Sequence, residues 1–210
     1  MNYYVRTTGD RVLDNSYSQI PYTLIVDKDY KPIDSFINAL YQISNDDAVL
    51  LEDDLILCGN FNEEIQKVIN QYPNRIINFF VSPIAYFVTH ETNGIIFNQC
   101  TYYPKGVAKQ LADIMINIPR RIDRRKNMYS LIEYQALKQL GIKVIQYRPC
   151  LVQHLDTGTL LFDKTTGLRR TPYFLDYLNE LGITYEEAGS MENQRKLREI
   201  MKKDFAKRNL

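Results

Sequence analysis

Residues 22–52 place the tightest constraint on the fold: YTLIV, then PIDSFINALYQI, then AVLLE, joined by short polar links. The outer two stretches are short and rich in β-branched or aliphatic residues, which favours strands. In the middle one, apolar residues fall at 33, 36, 37, 40 and 43. That spacing lines one face of a helix, and Pro32 is tolerated in its first turn. A strand, a helix and a strand this close together predict a layered α/β domain with a mainly parallel sheet. NYYVR at 2–6 reads as an earlier strand. Further on, FNEEIQKVINQY (61–72) has helical spacing, while RIINFFVS (75–82) and GIIFN (94–98) read as strands. Val107, Leu111, Ile114 and Ile118 predict a helix entered through Pro104 and interrupted by Pro119. Residues 129–140 resume a helix that Gly141 can stop, and KVIQY (143–147) is a late strand. RPCLVQHLDTGTLL (148–161) reads as a structured loop or short element, and helical patterns return near 172–181 and 192–207.

A chain of 210 residues with 45% hydrophobic residues suits one substantial domain. The core is expected over residues 1–160, with a helical, basic extension over 161–210 packed on it. No apolar run reaches the length of a membrane span, so no transmembrane segment is expected. MNYYVRTTGDR lacks the apolar centre of a signal peptide. Cys58, Cys100 and Cys150 have no paired spacing. An odd number of thiols without a leader predicts reduced cysteines and a cytoplasmic protein. Zinc clusters need closer pairs of cysteines.

VLLEDDLIL (49–57) sets Glu52, Asp53 and Asp54 inside an apolar run. If the strand runs through residue 54, Glu52 and Asp54 share one face and Asp53 takes the other. If it ends near 52, the two aspartates enter a loop at the C-terminal edge of the sheet, where open α/β sheets bind ligands. Adjacent carboxylates repel one another, more strongly as water is excluded, and a divalent cation relieves that directly. The other reading is an exposed acidic turn. Such a turn is more often followed by Gly, Asn or Pro, whereas LIL follows here at once and the turn signal waits until Gly59-Asn60. The order favours a site for Mg²⁺ or Mn²⁺ with a diphosphate beside it.

Other residues could complete such a site. His154 lies among Leu151, Val152 and Leu155. It is either a hydrogen-bonded core histidine or a metal ligand, and imidazole suits Mn²⁺ better than Mg²⁺. Asp156 could orient its ring. His90, in the polar stretch VTHETNG, is expected to face solvent. TTGDR (7–11) follows the first strand, and its N–H groups and hydroxyls, with Arg6 or Arg11, could meet a phosphate or a base. Neither GxGxxG nor GxxxxGK[ST] occurs. Asp27 is either an acceptor for a ribose or base or a simple turn residue.

With these residues in order, the chain resembles a small nucleotide-sugar glycosyltransferase of the GT-A class, of bacteriophage type. AVLLEDDLILCGNF (48–61) is similar to the Asp-x-Asp or Glu-Asp-Asp element that follows a buried strand in that class. RPCLVQHLDTGTLL is similar to a Pro-x-Leu-Val-Gln-His segment of several such families. The resemblance covers about residues 2–160, and the stretch from 82 to 100 is compressed relative to longer members. It implies a single three-layer GT-A-like α/β domain with a helical C-terminal region. It also implies that Asp54 contacts the metal, and that Asp53 and Glu52 reach the metal through water or hold the donor sugar and ribose. Residues around Thr7 and Asp27 would contact the nucleotide, and His154 the metal or diphosphate. The implied donor is a nucleoside-diphosphate sugar, UDP-linked, and the implied cofactor is Mn²⁺ (or Mg²⁺), which neutralises the leaving diphosphate. An inverting enzyme would need a carboxylate base, for which Asp123 and Glu133 are candidates. The arginines around Asp123 should lower its pKa, or simply pair with it.

The acceptor is a hydroxyl whose source the sequence leaves open. Arg120, Arg121, Arg124 and Arg125, in PRRIDRRKN, form either a solvated face or a track for an anionic acceptor or the donor diphosphate. With the basic tail they could follow DNA, and some of the 16 tyrosines could stack on a displaced base. Some phage glycosyltransferases modify hydroxymethylated DNA bases, and for a phage protein the expected place is the host cytoplasm. A glycan acceptor fits as well, and the tail could also meet an anionic membrane surface. Two other classes remain: a non-enzymatic nucleic-acid-binding accessory protein and a metal-dependent nucleotidyltransferase.

Overall fold

A computed structural model of the chain describes residues 1–28, 31–81, 90–95, 98–119, 129–155 and 170–208. Its organisation follows from the period of two along the strands. Strand β1 (Asn2–Thr7) lies between β2 (Tyr22–Val26) and β3 (Ala48–Glu52), and all three are parallel. Along β3, Ala48 and Leu50 face one way, and Val49 and Leu51 the other. The two sets belong to separate apolar clusters, one on each face of the sheet.

The first face is covered by helices α1 (Pro32–Gln42), α3 (Val107–Met115) and α4 (Tyr129–Leu140), through residues such as Phe36, Leu40, Leu111 and Leu137. The second is covered by α2 (Phe61–Gln71), by the small pair β4 (Leu55–Leu57) and β9 (Val152–His154), and by α5 (Leu175–Leu181) and α6 (Met191–Lys207). Phe61, Ile65, Leu151, Tyr177 and Leu197 are among its buried residues. The helical C-terminal region therefore shares a core with the sheet. Arg208 pairs with Asp14 at 2.8 Å, and the Asp176 carboxylate accepts the Gly59 N–H at 3.0 Å.

The large sheet has seven strands in the order β2-β1-β3-β7-β5-β8-β6, completed by β5 (Ile76–Asn78), β6 (Glu91–Thr92), β7 (Cys100–Tyr103) and β8 (Val144–Gln146). It is mixed. The β1–β2, β1–β3 and β5–β8 pairs are parallel, while β7 runs antiparallel to both β3 and β5, and β6 antiparallel to β8. The expected strand over 94–98 does not form at its described residues, 94, 95 and 98. Ile95 is instead buried by packing in the α1–α3–α4 cluster, and the Gly94 carbonyl is taken up by the Gln146 side chain. The strand comes later, in CTYY.

The tyrosines serve this core more than its surface. Tyr3, Tyr17, Tyr102, Tyr103, Tyr173 and Tyr177 are buried. Buried phenols keep a polar partner: Tyr3 donates to Asn62, Tyr102 to Asp47 and Tyr177 to Asp204. The three cysteines are free and buried. Among the described residues no helix is long and apolar enough to cross a membrane.

Candidate functional site

Because β1 and β3 are parallel neighbours with Arg6 opposite Glu52, both strands deliver their next residues to the same edge of the sheet. Alternation sorts them. Arg6 and Glu52 point to the α1 side, where the buried Arg6 pairs with the half-buried Glu52. The Arg6 guanidinium also donates to the Pro32 carbonyl at 3.2 Å and lies over the Phe36 ring. Burial raises the pKa of Glu52, and Arg6 opposes that rise.

Thr7 and Asp53 point to the opposite side. The Thr7 hydroxyl donates to Asp53 Oδ2 at 2.7 Å and accepts from the Gly9 N–H at 2.9 Å. Gly9 has φ +86°, which a glycine adopts without strain and which turns the chain back over the strand ends. Strand β3 stops at Glu52, so Asp53 and Asp54 form the turn rather than continuing the strand. The chain then departs into β4, a strand of the second sheet. Each aspartate is only 5% exposed.

The pairing of β4 with β9 brings in the late histidine. Leu55 stands opposite His154, and the Leu155 N–H donates to the Asp54 carbonyl at 2.9 Å. His154 is 1% exposed, with Nε2 3.3 Å from Asp54 Oδ2. Its core location and its approach to the acidic turn thus coexist. Arg11 closes the group: its Nη1 lies 2.8 Å from Asp53 Oδ1 and 2.9 Å from Asp54 Oδ2. Burial works against the Arg11 charge, but Asp54 and Asp53 outweigh it and raise its pKa.

Two supporting features escaped the sequence reading. A short 3-10 helix, Asn15–Gln19, is capped by Asp14 accepting from the Ser16 N–H. It places the Tyr17 hydroxyl to donate to the Glu52 carbonyl, and the Ser16 hydroxyl to accept from the Leu57 N–H. The Asp-x-Ser pattern at 14–16 was the available signal. The second is Gln99. Its carbonyl accepts the Glu52 N–H across the β3–β7 pairing, and its side-chain Oε1 is buried with no hydrogen-bond partner.

Arg6, Thr7, Arg11, Glu52, Asp53, Asp54 and His154 therefore meet at one edge of the sheet. Asp27 joins them there through its N–H bond to the Thr7 carbonyl, 2.8 Å, and is half-buried. His90 is exposed as expected, with its ring near that of Tyr72. Asp123, Asp156 and the arginines at 120, 121, 124 and 125 lie outside the described residues.

Glu133 lies on α4, fully buried on the α1 side of the sheet. Its oxygens accept from Tyr103 at 2.7 Å and Asn98 at 2.8 Å. Burial pushes its pKa up to about 7 from an ordinary 4.5, against the pull of those hydrogen bonds. The folded state therefore holds an extra proton between those values. The resulting stability is full below about 4.5 and is lost as pH rises through about 7. Glu133→Gln is expected to remove that slope, worth up to about 3 kcal/mol, in denaturant unfolding measured from pH 4.5 to 8.

Among the described residues no group of three or more His, Cys, Asp or Glu stands ready to hold a metal ion. A guanidinium nitrogen already lies between Asp53 Oδ1 and Asp54 Oδ2, as a stand-in cation. Carboxylate and imidazole are ligand types that Mn²⁺ accepts, but here they are engaged by Arg11 and by one another. The sequence matches no protein-family model and no curated protein.

Proposed function

We propose that the chain is a metal-dependent glycosyltransferase with a GT-A-like three-layer core, moving a sugar from a nucleoside-diphosphate sugar, UDP-linked, to a hydroxyl acceptor. The observation that carries the reading is the convergence of Arg11, Asp53, Asp54 and His154 just beyond the ends of β1 and β3. Open α/β sheets bind ligands at that edge. Asp53, Asp54 and His154 are the residues that would hold Mn²⁺ (or Mg²⁺), which when bound supplies positive charge to the leaving diphosphate. Thr7 and Gly9 shape the loop above Asp53, and Asp27, at the same edge, would accept from a ribose hydroxyl. Glu52 is committed to Arg6, and the pair supports the turn from beneath. Glu133, with both oxygens hydrogen-bonded inside the core, acts in this reading on the fold rather than on the acceptor.

The test is a calorimetric panel of nucleoside-diphosphate sugars with and without Mn²⁺. Mn²⁺-dependent binding of at least one donor is expected, and heat from none of them overturns the reading. Nucleoside triphosphates belong in the same panel, because preference for them would mark a nucleotidyltransferase.

One observation favours a second reading. The exposed side of α6 carries Arg195, Arg198, Lys203 and Lys207, in excess over Glu192 and Glu199, which pair with Lys196 and Lys202, a face able to meet nucleic-acid phosphates. Under the first reading it favours DNA over a neutral glycan as the acceptor. Salt-sensitive DNA binding that survives Asp54→Ala, with no donor binding, would instead mark a nucleic-acid-binding accessory protein.

A further inference from the structure

Among the described residues, three buried side-chain atoms have no hydrogen-bond partner: Gln99 Oε1, Arg148 Nε and Arg170 Nε. The two arginines make other contacts, over the rings of Tyr185 and Phe205. Gln99 is an uncharged amide, only 5% exposed, with its acceptor left unused. A buried acceptor without a donor costs the fold the desolvation of that oxygen, and folded chains carry few of them. An apolar side chain of similar length would avoid the cost.

Its place in the sheet says what the oxygen is for. Strand β7 runs antiparallel to β3, so the residue before β7 lies at the edge where β1 and β3 end. The backbone fixes it there: the Gln99 carbonyl accepts the Glu52 N–H at 2.9 Å. Strand order then sets four residues in line along that edge: Asp27 after β2, Thr7 ending β1, Asp53 after β3 and Gln99 before β7. At about 4.8 Å per strand, Asp27 and Gln99 are about 14 Å apart, with the acidic turn between them. A nucleoside-diphosphate sugar laid along this line with its ribose at Asp27 carries its diphosphate past Thr7 and its sugar toward Gln99. Diphosphate oxygens only accept hydrogen bonds, so they cannot satisfy Gln99 Oε1. A sugar hydroxyl can, because it donates to an amide oxygen and also accepts from an amide nitrogen.

We infer that Gln99 is a specificity-determining residue of the donor site, whose Oε1 accepts from a hydroxyl of the transferred sugar on the far side of the acidic turn from the ribose. This rests on the glycosyltransferase reading above, and the contact does not depend on what neutralises the diphosphate. The empty protein carries the cost of the unused acceptor, and the bound sugar removes it. A site built to hydrogen-bond a hydroxyl also rejects a sugar that lacks one at that position, because the buried oxygen is then left without a donor again.

The experiment titrates the full chain by calorimetry with UDP, UDP-glucose, UDP-galactose and UDP-N-acetylglucosamine, with and without Mn²⁺. It compares wild type, Gln99→Met and Gln99→Asn. Gln99→Met is expected to bind the sugar nucleotide that wild type prefers about tenfold more weakly, to lose the preference among the sugars, and to bind UDP itself as wild type does. Gln99→Asn keeps the amide on a shorter stem and should lose less. Urea unfolding of the empty proteins separates a lost contact from a damaged fold: Gln99→Met should be at least as stable as wild type, because the unused acceptor is gone. Unchanged sugar-nucleotide affinity and preference in Gln99→Met overturns the inference. An equal loss for UDP and for the sugar nucleotides also overturns it, since Gln99 would then act at the nucleoside end or through the fold. Binding of UDP and of every sugar nucleotide by none of the proteins, wild type included, overturns the donor reading, and the assignment of Gln99 falls with it.

Discussion

Asp54→Ala should abolish the Mn²⁺-dependent part of donor binding, a loss on the order of a hundredfold, or about 2.7 kcal/mol. Asp54 is the residue on which the other contacts converge. It faces Arg11 on one side and His154 Nε2 on the other, and its carbonyl accepts the Leu155 N–H. Its side chain is buried in the turn after β3, so circular dichroism of the variant accompanies the binding measurement. Arg11 can still pair with Asp53. Calorimetry of the best donor, with and without Mn²⁺, checks the expectation. Asp113→Ala is the control, since that carboxylate pairs with Lys109 on the exposed side of α3 and should leave donor binding unchanged. Equal Mn²⁺ dependence in the two variants would remove Asp54 from the site.

The largest stability effect is expected from Arg6→Met, about 3–5 kcal/mol. The substitution keeps much of the apolar bulk over Phe36 but leaves Glu52 charged and largely buried without the Arg6 guanidinium. Adding Glu52→Gln should recover a large part of the loss, because it removes the stranded charge. The pH dependence gives a second check. Burial already raises the Glu52 pKa, and loss of Arg6 must raise it further. A carboxyl raised in the folded state stabilises the fold in acid and loses that contribution as pH rises through its folded value. The defect of Arg6→Met should therefore narrow as pH falls toward the ordinary carboxylate range. Urea unfolding at several pH values measures both effects, and a pH-independent defect would mean that Arg6 acts only through packing.

Much of this architecture was readable from residue spacing. The β2–α1–β3 stretch kept its predicted elements because strand and helix periods were clean and Pro32 marked the helix start. The central strand β7 was missed for a physical reason. Thr101, and Gln99 just before the strand, are polar and buried, whereas in the neighbouring GIIFN the apolar Ile95 packs without pairing. Hydrophobicity reports burial, not hydrogen-bond partners, and the two separate here. In the site, the acidic turn and His154 were legible because polar groups interrupted apolar runs. Their meeting through the β4–β9 pair was not, since it depends on contacts about a hundred residues apart. Arg11 was visible as a phosphate-binding candidate. Its bridge between two aspartates depends on how the loop after β1 folds back, which no local pattern encodes.

The place of β7 also bears on how the domain assembles. Strands β2, β1 and β3 form one parallel half of the sheet, and β5 and β8 form another. Among the described residues the halves touch within the sheet only through β7, which is antiparallel to both. On the ribosome, β3 therefore waits with an open edge until residue 103 has emerged. Neither half has its full set of backbone partners alone. The N-terminal βαβ unit is thus a poor candidate for a free-standing fragment, and truncation anywhere before β7 should yield an aggregation-prone product rather than a smaller domain.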